Sequence, residues 1–123
     1  KIALLAIPVA AVILTFLLYK DIREEGSFLL NFYKYFYNIG GSLILAASLT
    51  ILYLSKYFSS GKLRPAIICI VLGLIVQYIA DVAFNYRANP QIALYYNADF
   101  TDMLYALSLY LVSAGSTLFT LKR

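Results

Sequence analysis

Residues 65–86 read PAIICIVLGLIVQYIADVAFNY, a run interrupted by one charged residue, Asp81. A helix needs about 20 predominantly apolar residues to cross the roughly 30 Å hydrocarbon core of a bilayer, and this run is long enough. Cutting the rest of the chain at its charges yields three more such runs, at 2–19, 36–58 and 100–121. Together they use almost the whole of the 123 residues, and the short leftovers cannot build a separate soluble domain. The expected fold is therefore all-α: a polytopic integral membrane protein whose single domain, 1–123, is an antiparallel bundle of four transmembrane helices.

Composition points the same way. The chain is 63% hydrophobic and 13% charged, with a mean hydropathy of +0.80, against roughly 45–50% apolar residues in an ordinary soluble domain. A soluble fold of this size would lack the polar side chains to cover its surface. This excludes a secreted disulfide scaffold, a disordered tail and a nucleic-acid module, despite the net charge of +4. Histidine is absent and cysteine is single, so a His-ligated haem, a His/Cys zinc site and a Cys/His nucleophile all lack their parts. No cofactor and no metal are expected. Cys69 lies in an apolar run and reads as a small buried or lipid-facing hydrophobe.

The first run follows Lys1 and could pass for a secretory signal. It is longer than a usual signal core, and no small-x-small cleavage site follows Leu18 and Tyr19. The absence of an initiator Met before Lys1 suggests an excised piece of a longer protein. Turn residues punctuate the chain at Gly26 and Ser27, at Ser59 to Gly61, and at Asn89 and Pro90. Pro65 suits the first turn of a helix, whereas Pro8 inside the first run predicts a kink or a break.

Basic residues set the expected orientation, because Lys and Arg favour cytoplasmic loops. Lys1, Lys56, Lys62, Arg64, Lys122 and Arg123 lie at the termini and second connection, with no acidic residue among them. The first and third connections and adjoining helix ends carry Lys20, Arg23, Lys34 and Arg87 against Asp21, Glu24, Glu25, Asp81, Asp99 and Asp102. Both termini are expected in the cytoplasm of a multi-pass cell-membrane protein. The net charge is then a topology signal.

Phe32, Tyr33, Tyr35, Phe36 and Tyr37 around Lys34 form an aromatic belt suited to the outer headgroup level. Tyr53, Tyr57 and Phe58 with Lys56 form one at the inner level. The outer cluster either flanks the second helix or extends it upward from about Ser27. Small residues permit close helix approach: Ala3, Ala6 and Ala10; Gly40, Gly41, Ser42, Ala46 and Ala47; and Ser113 to Ser116. These contacts could form within one chain or in a homo-oligomer.

The candidate polar site lies where the third and fourth helices meet the extracytoplasmic face. Gln77, Asp81 and Asn85 are spaced four apart and form one stripe, while Asp102, Tyr105, Ser108 or Leu109, and Ser113 trace a path on the fourth helix. A charge at membrane depth costs about 2.5–3.5 kcal/mol on insertion scales, so Asp81 needs a partner or a polar pocket. Arg87 is one candidate partner and the tyrosine hydroxyls are others. Gln77, Asp81, Asn85, Asp102 and Tyr105 then form either a structural clamp or a small ligand pocket. Two aspartates could in principle act as acid and base, but no nucleophile, oxyanion donors or phosphate-binding loop accompany them, so no enzyme is expected.

Asp81, then Tyr95, Tyr96, Asn97 and Asp99, then Asp102 with Leu104, Tyr105 and Tyr110 make a pattern over about 45 residues. It resembles the membrane-embedded N-terminal modules of archaeal and bacterial signal-transduction proteins, which precede histidine kinase, PAS or diguanylate cyclase domains. The resemblance implies a sensor module, either excised from a longer chain or acting on a separate cytoplasmic partner. It marks Asp81, Asp99, Asp102, Tyr105 and Tyr110 as matching positions without assigning their roles.

The expected function is a membrane sensor or interaction module in the lipid bilayer, relaying a signal through the fourth helix to a cytoplasmic domain or partner protein. One alternative is a small oligomeric transporter or channel using Asp81 as its ion-coupled group. Another is a structural or assembly subunit. Nucleic acid is not an expected partner.

Overall fold

A computed structural model describes residues 2–19, 28–55, 57, 61, 63–88, 94 and 96–122. They form four helices, α1 (Ile2–Tyr19), α2 (Phe28–Ser55), α3 (Arg64–Arg87) and α4 (Phe100–Lys122), and among the described residues there is no strand. Three helical stretches, 35–55, 64–87 and 100–121, are long and apolar enough to cross a membrane, while the apolar stretch of α1, Leu5–Leu18, is shorter. Lys1, Lys20, Asp21, Arg23, Glu24, Glu25, Gly26, Ser27, Lys56, Phe58, Ser59, Ser60, Lys62, Asn89, Pro90, Tyr95 and Arg123 lie outside the described residues.

The helix ends follow local chemistry. α1 continues through Pro8 without interruption. Of the two expected starts of α2, at 36 or extended upward from about Ser27, the structure has the longer one: α2 begins at Phe28, so the aromatic cluster belongs to the helix. Phe32 and Phe36, one turn apart, stack with their ring centroids 6.4 Å from each other. At its other end α2 stops at Ser55, whose hydroxyl donates to the Leu52 carbonyl, and the Tyr57 N–H closes a turn on Leu54. Pro65 occupies the first turn of α3, where its missing N–H leaves no gap in the hydrogen-bond ladder.

Helices consecutive in sequence pack on one another, and the α3–α4 contact is the most extensive. Where α1, α2 and α3 meet, Ala11, Leu45, Ala46 and Tyr78 form a buried cluster, with Leu49 and Val82 packed against it. Large apolar side chains such as Leu5, Phe16, Leu43 and Leu109 point outward. Apolar surface of this extent suits a hydrocarbon solvent, which needs no polar coat.

The α3–α4 contact is built from small residues spaced seven apart. Ala66, Gly73 and Ala80 are buried on α3, and Thr101, Ser108 and Gly115 on α4. A Cβ on Gly73 would stand 2.6 Å from Val112 Cγ2 and 3.0 Å from the Ser108 carbonyl oxygen. One on Gly115 would stand 2.6 Å from Ile70 Cγ1 and 2.8 Å from the Ala66 carbonyl oxygen. Rising positions on α3 meet falling positions on α4, so the two helices run antiparallel with their backbones nearly touching. A repeat of seven keeps such a seam facing its partner along a left-handed supercoil. The Thr101 hydroxyl is enclosed with no hydrogen-bond partner among the described residues, so at this position the seam uses small size rather than polarity.

Candidate polar site between α3 and α4

Because the seam brings the backbones so close, polar side chains beside it reach across in one step. Tyr105 Oη donates to Asp81 Oδ1 over 2.8 Å. One turn further along the seam, Ser108 Oγ donates to Gln77 Oε1 over 2.9 Å. The Gln77 amide points its Nε2 at Asp81 Oδ1 at a longer 3.5 Å, so Ser108, Gln77 and Asp81 form a directed chain that ends on the carboxylate. Asn85 Nδ2 donates to the Asp81 main-chain carbonyl at 2.7 Å. The Phe84 ring meets the Tyr105 ring edge-on, with centroids 6.4 Å apart, which fixes the direction of the phenol.

Donors thus converge on Asp81 Oδ1. Carboxylate oxygens are acceptors of high capacity, and the half-buried Asp81 meets part of that capacity with donors from Tyr105 and Gln77. Asp81 lies six residues before Arg87 on α3, about 9 Å along the helix axis. Arg87, expected as a possible partner of Asp81, turns the other way: its Nε pairs with Asp99 Oδ2, and its NH2 group donates to the Leu94 carbonyl. The guanidinium fork lies near the helix end and can serve both loop acceptors at once, a geometry that suits it better than reaching back one and a half turns along its own helix.

Asp102 has a local task. Its Oδ2 accepts the Ala98 N–H at 2.8 Å, while Asp99, three residues earlier, offers its carbonyl to the Asp102 and Met103 N–H groups and its Oδ1 to Phe100 N–H. Asp99 thus stands at the N-cap position, and Asp102, at the third helical position, reaches back past it to the Ala98 N–H rather than to the N-cap N–H as in a capping box. Ala98 pairs this arrangement with a left-handed backbone, φ 65°, in the turn closed by Asp99 N–H on the Tyr96 carbonyl. A positive φ at the third residue only is the pattern of a type II turn.

Of the expected site residues, the structure brings Gln77, Asp81 and Tyr105 together directly, places Asn85 on the main chain of the same turn, and gives Asp102 a capping bond. Ser108 belongs to the cluster and was only loosely indicated in the sequence; its seven-residue spacing from Thr101 and Gly115 is the signal that finds it. The Asp99-Phe-Thr-Asp102 spacing is the corresponding signal for the cap. Among the described residues no three carboxylate, thiol or imidazole groups lie together as metal ligands would. Comparison of the chain with protein-family models, with curated proteins and with solved structures found no match.

Proposed function

We propose that the chain is a membrane-embedded sensor or interaction module. Its four helices form an antiparallel transmembrane bundle with both termini in the cytoplasm, and the cluster around Asp81 is its extracytoplasmic input. The observation that supports this most directly is the hydrogen bond from Tyr105 to Asp81, which couples a carboxylate inside an apolar span to the neighbouring helix. A stimulus that competes for the Asp81 oxygen changes how α3 and α4 are held together. It then shifts the balance between two packings, which α4 carries to a cytoplasmic domain or partner.

The test is to place a soluble kinase output domain after Arg123 and assay it in membrane vesicles. Asp81→Asn and Tyr105→Phe should each change basal output severalfold, while output indifferent to both sinks the sensor reading. Orientation is checked separately, with a cysteine after Arg123 expected to be shielded from a membrane-impermeant thiol reagent added to intact cells. The depth of Asp81 below Arg87 also favours a second reading, an oligomeric transporter or channel coupled through that carboxylate. In that case proteoliposomes carrying the chain should show a pH-dependent ion flux that Asp81→Asn abolishes.

A further inference from the structure

Tyr78 stands beside Gln77 in sequence but serves another neighbour. It is buried at the junction of α1, α2 and α3, its ring lies 3.5 Å from where a Cβ on Gly41 would sit, and its hydroxyl is 2.7 Å from Thr15 Oγ1 on α1. Thr15 already donates its own proton to the Ala11 carbonyl at 2.8 Å. A hydroxyl has one proton, so Tyr78 is the donor in the bond between them. The result is a chain from Tyr78 through Thr15 to the main chain of α1.

The attachments of α1 and α4 to α3 differ in kind. α4 is interlocked with α3 along two heptads of small residues and cross-linked by Tyr105–Asp81, Ser108–Gln77 and Arg87–Asp99. α1 shares no extended packing face with α3 or α4; it packs on α2 and meets α3 around Tyr78, where Ala11 lies in the buried cluster and Thr15 holds the hydroxyl. We infer that α1 is a movable arm of a rigid α3–α4 unit, and that the hydrogen bond from Tyr78 to Thr15 is the latch that holds it in place. Opening the latch leaves Thr15 satisfied, because its proton stays on the Ala11 carbonyl, so the departing helix carries no unpaired donor into lipid. Only the Tyr78 hydroxyl loses its partner. Interhelical hydrogen bonds in membranes are weak, so the latch adds only about threefold to the preference for the docked arm that the packing of α1 on α2 already gives. This goes beyond the sensor reading and does not depend on it.

Distances between spin labels in bilayers test the latch in the full chain with Cys69 replaced by alanine. One label pair at the exposed positions Leu14 and Leu72 reports on α1 against α3, and a second at Leu72 and Leu107 reports on α3 against α4. In Tyr78→Phe and Thr15→Val the undocked share of the first pair should rise about threefold while the second pair keeps its distance. Thr15→Ser, which retains the hydroxyl, should behave as the parent. The proposal is overturned if the first pair is unchanged in both latch variants, or if the second pair broadens along with it, since α3–α4 would then not be the rigid unit.

Discussion

Gly73 of α3 and Ser108 of α4 meet backbone to backbone, so closely that a Cβ on the glycine would lie 3.0 Å from the serine carbonyl oxygen. That closeness puts Ser108 within reach of Gln77 and Tyr105 within reach of Asp81. Gly73→Ala and Gly115→Ala should therefore each destabilise the chain by about 1–3 kcal/mol, the usual penalty of overpacking, and should weaken the polar links as the helices part. Gly40 has nothing within 4 Å of its would-be Cβ, so Gly40→Ala should instead stabilise α2 by about 0.5–1 kcal/mol. Thermal unfolding in detergent distinguishes the two signs.

Tyr105→Phe keeps the edge-on contact with Phe84 and removes only the hydroxyl that reaches Asp81. The expected loss is about 0.6 kcal/mol if the bond behaves as an average interhelical one, rising to about 1.7 kcal/mol at the upper end. Asp81→Leu combined with Tyr105→Phe should cost less than the sum of the two single changes, because acceptor and donor leave together. A double-mutant cycle in which the two losses simply add would contradict direct coupling.

Asp99 is 2% exposed and its ion-pair partner Arg87 is 30% exposed. Arg87→Ala strands the buried carboxylate and should cost about 3 kcal/mol, the lower end of the range for breaking a buried pair, since Arg87 still touches solvent. Arg87→Lys should not restore the loss, because an ammonium cannot reproduce the fork that serves both Asp99 and the Leu94 carbonyl. Asp99→Asn should be milder, as the amide oxygen still accepts the Phe100 N–H and Arg87 can turn to water. Chemical denaturation of the three variants side by side checks the ranking.

Ala98 holds a left-handed φ of 65° in the turn leading into α4. That conformation costs an L-residue with a Cβ about 1–2 kcal/mol, while the added freedom of glycine in the unfolded chain costs about 0.4–1 kcal/mol. Ala98→Gly should thus stabilise the chain by up to about 1.6 kcal/mol, the difference of these terms. Ala98→Val should destabilise it. A melting temperature that falls on going to glycine would count against the turn geometry.

Much of the helical architecture was legible in the sequence, because long apolar runs in a chain with so few charges leave little besides helices that can satisfy their own backbone. The ends were less legible: α2 reaches back to Phe28 because an aromatic cluster stacked one turn apart continues a helix as readily as it ends one. The polar stripe of Gln77, Asp81 and Asn85 was visible from its spacing of four. Its partners were not, since which tyrosine or serine faces Asp81 depends on the relative register of two helices.

By itself the sequence determined an all-helical chain with apolar runs of membrane-spanning length and a carboxylate, Asp81, set close to the end of one of them. Tertiary structure decided the rest. Seven-residue repeats of Ala66, Gly73 and Ala80 against Thr101, Ser108 and Gly115 set the register of α3 against α4, and that register assigned Tyr105 to Asp81 and Arg87 to Asp99, while the packing of α1 on α2 brought Thr15 to Tyr78. Periodicity along one helix fixes which face a residue occupies, whereas a hydrogen bond between helices also needs their separation and relative height, and these follow from packing.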